Sequence, residues 1–219
     1  MLSNVLFTYI GWLLAMSVMD MNPTATLLSE NGGTPDEETT LMQGDTYTGS
    51  APLEFRFTAD ETETYSYRYE WNFARDASFS DIFLTRYDYE TIYSFQEAGT
   101  FYVRVIITDM ETEETNTSDA FVIQISESEL EVPNAFSPNG DGVNDIYKVK
   151  YESLVSFEAY IFNRWGQQLY HWSLQNIDEG WDGTAHGKEV PEGVYFIVVR
   201  ARGADGIEYE EKKDINILR

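Results

Sequence analysis

The segment Ser137–Asp145 holds the residues whose types and spacing come closest to metal chemistry. Its sequence, SPNGDGVND, places oxygen-bearing groups at alternate positions around glycines. Asn139, Asp141 and Asp145, with the Val143 carbonyl, occupy positions from which the oxygen ligands of calcium loops converge on one cation. Calcium is therefore the one candidate cofactor that the sequence suggests.

The same segment is also typical of a purely structural turn. Lys148 stands where a calcium loop would place a bidentate Glu, so two carboxylates remain for the cation. Asn and Asp side chains commonly accept hydrogen bonds from backbone N–H groups in turns. We favour the turn and keep calcium as the alternative.

No combination of residues predicts an enzyme. The chain has no Cys and two His, His171 and His186, which are too few and too widely spaced for a zinc site. It also lacks G-x-S-x-G, P-loop and H-E-x-x-H motifs. We predict no catalytic residue, no enzymatic activity and no small-molecule substrate.

The charge of the chain restricts its partners and divides it in two. A net charge of −24 would repel nucleic acid and anionic lipid headgroups. Residues 1–131 carry 24 acidic side chains, five Arg and no Lys, whereas residues 132–219 carry 14 acidic and nine basic side chains. This break predicts a domain boundary near Glu131.

Hydrophobic residues alternate with polar ones through both halves, which is typical of strands with one buried face. In the first half the pattern covers Leu53–Phe57, Tyr65–Phe73, Phe101–Ile107 and Phe121–Ile125. In the second half the predicted strands are Asp145–Tyr151, Val155–Arg164, Gln168–Trp172, Gly193–Arg202 and Glu208–Leu218. Within the fourth of these, Val194–Val199 is apolar at every position and predicts a central strand covered on both faces.

The N-terminal region is predicted to be a signal peptide followed by a linker. Val5–Met19 is apolar but short for a membrane span, so we predict a signal peptide within residues 1–25. Residues 26–44 have few apolar side chains and predict a solvated linker.

Four blocks of the second half resemble a known family. They are VPNAFSPNGDGVNDIYKV (Val132–Val149), AYIFNRWGQQLY (Ala159–Tyr170), GWDGTAHGKEVPEGVYFIVV (Gly180–Val199) and KKDINILR (Lys212–Arg219). In this order they are similar to the gliding-motility-associated C-terminal domain, the type B sorting domain of the type IX secretion system of Bacteroidota. The resemblance implies an Ig-like sandwich over residues 132–219, export through the periplasm to the cell surface, and recognition by an outer-membrane shuttle and translocon.

Tyr93–Asp109 (YSFQEAGTFYVRVIITD) resembles the last strands of the polycystic-kidney-disease (PKD) Ig-like repeat. The glycine turn that usually follows the Trp of that repeat is replaced by Trp71–Asp76 (WNFARD), which has no Gly. The predicted fold class is therefore all-β, with two consecutive Ig-like β-sandwich domains, residues 45–129 and 132–219, after an N-terminal signal-like segment.

The predicted sorting site is the last strand. Its residues alternate and reach the chain end, so an edge strand there could pair with the shuttle or translocon by β-augmentation. The residues concerned are Lys212, Lys213, Asp214, Ile215, Asn216, Ile217, Leu218 and Arg219. The alternative is that this strand only completes the sandwich.

Aromatic residues give the remaining expectations. Trp165 and Trp181 lie beside turns and are predicted to close the ends of the second sandwich, whereas Tyr87, Tyr89 and Tyr93 are predicted to be exposed. The favoured function is a secreted, non-enzymatic surface protein whose first module serves interaction or spacing. The alternatives are a carbohydrate-binding adhesin, which would use the exposed tyrosines, and a structural subunit of a surface or gliding-motility assembly.

Overall fold

A computed structural model describes residues 21–35, 37–59 and 66–218. The strands of its first module are β1 (Thr24–Glu30), β2 (Thr40–Met42), β3 (Thr46–Gly49), β4 (Leu53–Thr58), β5 (Tyr67–Ala74), β6 (Ile82–Arg86), β7 (Glu90–Phe95), β8 (Gly99–Asp109), β9 (Thr115–Thr117) and β10 (Phe121–Ile125).

The second module follows without an intervening helix in the described chain. Its strands are β11 (Glu129–Glu131), β12 (Ala135–Phe136), β13 (Lys150–Glu152), β14 (Leu154–Phe162), β15 (Gln168–Ser173), β16 (Thr184–Ala185), β17 (Lys188–Glu189), β18 (Gly193–Gly203) and β19 (Glu208–Ile217). A single 3-10 turn, Leu174–Asn176, follows β15. The predicted all-β class with two consecutive Ig-like sandwiches is confirmed.

Two sheets face each other in the first module. One has the order β2-β1-β4-β7, and the other has the order β3-β10-β8-β5-β6, with β9 added beside β8. Phe57 of β4 joins them, because its ring lies 5.4 Å from Phe73 of β5 and 5.8 Å from Phe121 of β10. All three rings are fully buried, as expected when the apolar faces of two alternating sheets meet.

The predicted linker 26–44 belongs instead to this sandwich. Strand β1 pairs with β4, and β2 pairs with β1 on its other side. Ala25, Leu27 and Leu41 are buried in the core. The prediction was wrong because a short strand needs only alternate small or aliphatic residues to cover a core that aromatic side chains already fill.

The turn after β5 forms without the glycines of the PKD repeat. The Asp76 carboxylate accepts hydrogen bonds from the backbone N–H groups of Ser78 at 3.0 Å, Ser80 at 3.1 Å and Asp81 at 2.6 Å. A hydrogen bond from the Ser78 hydroxyl and these backbone bonds hold the pKa of Asp76 far below its usual range. An Asx-type turn thus replaces the conformational freedom of glycine.

The second module has one large sheet, with the order β12-β19-β18-β14-β15. Its inner face is covered mainly by loops and short hairpins: Trp181 lies 5.5 Å from Phe136 and 5.7 Å from Tyr195 of β18. Tyr147 joins this layer through a bridge to Trp181. The strand predicted over Asp145–Tyr151 is therefore reduced to β13, because the residues before it form the covering loop.

The outer face of this sheet corrects another prediction. Val194–Val199 lies in the middle of the sheet, as expected, but only one of its faces is covered. Tyr195, Ile197 and Val199 are buried, whereas Val194 is 49% exposed and Phe196 is 41% exposed.

The two modules are joined by direct contacts. The Asp205 carboxylate accepts hydrogen bonds from the Ser128 N–H and hydroxyl, each at 2.8 Å. The Ala98 N–H donates to the Ala204 carbonyl at 3.0 Å, and the Ala51 N–H donates to the hydroxyl of fully buried Ser153 at 3.2 Å. The modules therefore meet in an ordered joint.

The predicted signal peptide lies almost entirely outside the described residues, which begin at Met21. In the described part of the chain, no helix is long and apolar enough to cross a membrane.

The assignment of residues 24–30 to the core gives a first prediction. Ala25→Asp should lower the free energy of unfolding by about 3–5 kcal/mol, because it buries a carboxylate without a partner. Thr26→Asp, on the opposite side of β1, should cost about 1 kcal/mol or less. Urea unfolding of the two variants measures the difference, and equal midpoints would show that this segment is a tether after all.

Candidate partner-binding surface of the second module

The pairing register of the strands determines which side chains are neighbours on the outer face of the five-stranded sheet. Phe196 of β18 lies between Asp214 of β19 and Phe162 of β14. The next row places Val198 between Lys212 and Tyr160. The apolar side chains of this face therefore lie near the start of β18.

The same face becomes charged towards the end of β18. Arg200 lies between Glu210 of β19 and Glu158 of β14. Arg202 follows, opposite Glu208. A shallow groove of about 860 Å³ runs over these side chains near the first module. Acidic and basic groups alternate there, as in a solvated sheet face.

The β14–β15 hairpin brings a tryptophan beside the apolar end. The Asn163 side chain accepts hydrogen bonds from the N–H groups of Trp165 and Gln167, both at 3.0 Å, and so fixes the turn. Trp165 is 75% exposed, and it lines a groove of about 420 Å³ with Val194 and Phe196.

The two tryptophans beside turns therefore differ in role. The prediction for Trp181 fits its position, because it is fully buried and donates from Nε1 to the Thr184 carbonyl at 2.8 Å. The prediction that Trp165 closes the sandwich is wrong. Its ring is instead covered by the Arg164 guanidinium, which lies 4.3 Å from the ring centroid.

The predicted sorting strand is only partly an edge. Strand β12 pairs in parallel with Asn216 and Ile217. The N–H of Asn216 donates to the Asn134 carbonyl at 2.8 Å, and the N–H of Leu218 donates to the Phe136 carbonyl at 3.0 Å. The end of the strand is thus already paired, which corrects the expectation of a free edge there.

The free edge lies further upstream in β19. The pairing of β18 with β19 has no register shift, so residues of the same parity as Asn216 direct their backbone groups to the same side. Glu210, Lys212 and Asp214 therefore present N–H and C=O groups to solvent. The Lys212 ammonium pairs with the Glu210 carboxylate at 2.9 Å, and such charged side chains protect edge strands from unspecific pairing.

The remaining predicted sorting residues have mixed positions. Ile215 is fully buried and Ile217 is 2% exposed, so both serve the core. Lys213 is exposed and pairs with Glu211 at 3.4 Å. Leu218 is 57% exposed, and Arg219 lies outside the described residues.

The candidate calcium residues lie together in one turn. The Asp145 carboxylate accepts backbone N–H groups from Asn139 at 3.0 Å, Gly140 at 2.7 Å and Gly142 at 2.8 Å. Asp141 accepts the N–H of Val143 at 2.8 Å and the Asn139 side-chain amide at 3.0 Å. The bonds from the glycines lower the pKa of Asp145.

These contacts turn the carboxylates towards backbone donors. Across the described ranges, no group of three or more His, Asp or Glu residues is placed to hold a metal ion. The calcium hypothesis, which uses Asn139 as an amide ligand, stays a prediction.

The predicted exposed tyrosines of the first module differ from each other. Tyr87 is 64% exposed. Tyr89 packs against the core with its ring 5.5 Å from Tyr69. Tyr93 also packs there, 5.1 Å from Phe73, and burial raises the pKa of its hydroxyl. The structure thus does not bring the three rings together as an exposed sugar-binding platform.

The residues that form this surface match the model of a known protein family. Residues 130–216 match the CHU_C Type IX secretion signal domain. The second module is thus similar to this type IX secretion signal domain. The similarity implies interaction with the type IX secretion machinery and export to the cell surface or the medium. The match does not extend into the first module, whose resemblance to the PKD repeat stays a prediction.

The solved structures that match this chain are only distantly similar to it. Dimeric latent PorU from Porphyromonas gingivalis is 12% identical with a TM-score of 0.27, over 90% of this chain and 20% of that one. The Bacteroides ovatus mixed-linkage glucan utilization locus protein SGBP-B, in complex with a mixed-linkage heptasaccharide, is 14% identical with a TM-score of 0.29, over 80% and 43%. A marsupial T cell receptor is 6% identical with a TM-score of 0.29, over 90% and 73%.

This chain therefore spans less than half of the first two structures. Identities and TM-scores this low do not support an inference about function. No curated protein matches the sequence.

The Asp145 turn gives a second prediction. Because the folded state holds the pKa of Asp145 low, its stabilising effect is present above the unfolded value of about 3.9 and is lost as pH falls further. Asp145→Asn should therefore lower the melting temperature at pH 7, and the difference from the native chain should shrink below about pH 4. Glu192→Gln, in an exposed loop, is the control and should change little at either pH.

The same proteins test the metal hypothesis. Calcium at millimolar concentration would raise the melting temperature of the native chain but not of Asp145→Asn if the loop bound the ion. An unchanged melting temperature in both would contradict a calcium site.

Proposed function

We propose that this chain is a secreted, non-enzymatic cell-surface protein whose second module delivers the first through the type IX secretion system. The observation that carries the proposal is the match of residues 130–216 to the secretion signal family. These residues begin in β11 and end in β19, and they include a separate buried core. The signal thus corresponds to a folded unit.

The absence of enzymatic activity is supported by what surrounds the polar side chains. His171 stacks on Tyr160 at 4.6 Å, and His186 lies in the tight β16–β17 turn with a φ of 52°. The Glu158 carboxylate lies 4.0 Å from His171 Nε2, but these two side chains are 55% and 40% exposed on an open sheet face. Catalysis requires such groups to converge in one pocket.

The first module is proposed to act as a spacer or an interaction platform. Its high negative charge keeps surfaces apart and soluble, and the ordered joint through Asp205 and Ser153 would hold it at a fixed orientation. The partial burial of Tyr89 and Tyr93 against the core favours this role over sugar binding. Cross-linking on living cells would detect partners if the module were a subunit of an assembly.

A leader is proposed to precede β1. Cleavage must leave Ala25 in place, because this residue is fully buried between β2 and β4. We therefore place the end of the signal peptide before Thr24, somewhat earlier than residue 25.

Recognition is proposed to use the free edge of β19. The open backbone groups of Glu210, Lys212 and Asp214 can accept a strand of the secretion machinery by β-augmentation. Deleting the last six residues would not test this, because it removes buried Ile215 and Ile217. A change that alters only the outward N–H is needed.

Removing the second module tests the proposed export. A chain that ends at Ser126 keeps all strands of the first module. In a host with a working type IX system it should accumulate in the periplasm, whereas the full chain should become accessible to added protease at the cell surface. Surface display of the shortened chain would contradict the proposal.

A proline at the edge tests the mode of recognition. Lys212→Pro removes an N–H that points to solvent and should leave the pairing with β18 intact. We expect at least tenfold less surface protein and a melting temperature close to that of Lys212→Ala, which keeps the N–H and should be exported normally. Normal export of folded Lys212→Pro would rule out β-augmentation at this edge.

A further inference from the structure

The outer face of β18 is apolar where solvent should favour polar residues. Val194 and Phe196 are 49% and 41% exposed, and Trp165 beside them is 75% exposed. Phe162 of β14 lies directly across from Phe196. We call these four residues the apolar patch. Contiguous exposed apolar surface on a soluble protein marks a site of interaction.

The patch is distinct from the other exposed apolar residues of the second module. In the described chain these are Val143, Ile146, Ile207 and Leu218. Three of the four lie in loops, and isolated exposed residues of this kind are common. Only the apolar patch combines two neighbouring strands with a groove, the one of about 420 Å³ beside Trp165.

Other surfaces of the module are already used. The inner face is packed against Trp181 and Tyr195. The end next to the first module is occupied by the contacts of Ser153 and Asp205. The charged part of the outer face, around Arg200, pairs opposite charges across strands. The apolar patch is therefore an apolar part of the sheet face that no other described residue covers.

Charge at the edge of the patch indicates what would cover it. The Arg164 guanidinium lies over the exposed Trp165 ring, 4.3 Å from its centroid. No carboxylate of the described residues forms an ion pair with Arg164, although this chain is rich in them. A partner that places a carboxylate there would gain a bidentate pair next to apolar contact.

We propose that the apolar patch is the docking surface for a protein of the type IX secretion machinery, which inserts an apolar side chain beside Trp165 and offers a carboxylate to Arg164. This inference rests on the proposed export function and adds the location and chemistry of the contact. It also accounts for the sequence of Val194–Val199: the second cover that this strand requires comes from another protein.

A second copy of the chain fits the patch less well. Two chains that each carry a net charge of −24 repel each other, most strongly at low ionic strength, and this repulsion opposes a weak dimer contact. Few charges border the patch itself: Arg164 and Glu192 line its groove, and Asp214 lies opposite Phe196. A partner that carries a carboxylate approaches this acidic protein most easily at an area with so few charges.

The test uses the full chain in a host with a working type IX system. The first variant, Val194→Lys with Phe196→Lys, places charges on positions already in contact with water. The second, Trp165→Ala, removes the exposed ring without touching the core. Ile207→Lys, at 51% exposure in the turn at the other end of the sheet, is the matched control.

Both patch variants should reduce protease-accessible surface protein at least tenfold and increase the periplasmic pool. Their melting temperatures should stay close to that of the native chain, and Ile207→Lys should be exported normally. Arg164→Glu should impair export more than Arg164→Lys, because the first repels the expected carboxylate and the second keeps the charge. Normal export of folded patch variants would overturn the inference.

Two further results separate this inference from the function on which it rests. If the native chain stays in the periplasm, or the chain ending at Ser126 reaches the surface, the export function itself fails. If the purified native chain is a dimer that the patch variants convert to monomers, a second copy is the occupant and the docking proposal is wrong. Size-exclusion chromatography with light scattering measures this.

Discussion

The packing of Trp181 against the inner face of the five-stranded sheet is the interaction on which the second module depends. It covers Phe136 and Tyr195 from a loop and exchanges two backbone hydrogen bonds with Tyr147, at 2.8 and 2.9 Å. Gly180 permits this approach: its φ is 67°, and a Cβ there would collide with the Tyr147 carbonyl. Because loops suffice to cover the inner face, the outer face of the sheet stays exposed.

Alternating sequences allowed most of the sheet cores to be predicted. Leu53–Phe57 and Phe121–Ile125 have one buried face each, as their pattern indicates. Strand β1 could not be recognised, since Ala25 and Leu27 are too few to dominate a window rich in Thr and Ser. Its burial depends on pairing with β4, a contact between residues about 30 positions apart that no local pattern encodes.

The candidate site was less accessible to prediction, for two physical reasons. Trp165 and Trp181 both follow turn residues, and their composition does not distinguish a ring that folds inwards from one that the Asn163 turn directs outwards. The edge was misplaced because β12 has only two residues, Ala135 and Phe136. A strand so short has no period, yet it pairs with Asn216 and Ile217 and leaves the free edge upstream.

The joint between the modules lies at one end of the second sheet. It uses the end of the second sheet at which β18 turns into β19, through Ala204 and Asp205. The apolar patch is at the opposite end, where β18 begins at Gly193. The strongly acidic first module is therefore kept away from the apolar patch, the proposed docking surface. If the first module were joined at the other end of the sheet, its negative charge would lie beside the apolar patch. The direction of β18 therefore places the first module and the apolar patch at opposite ends of the sheet.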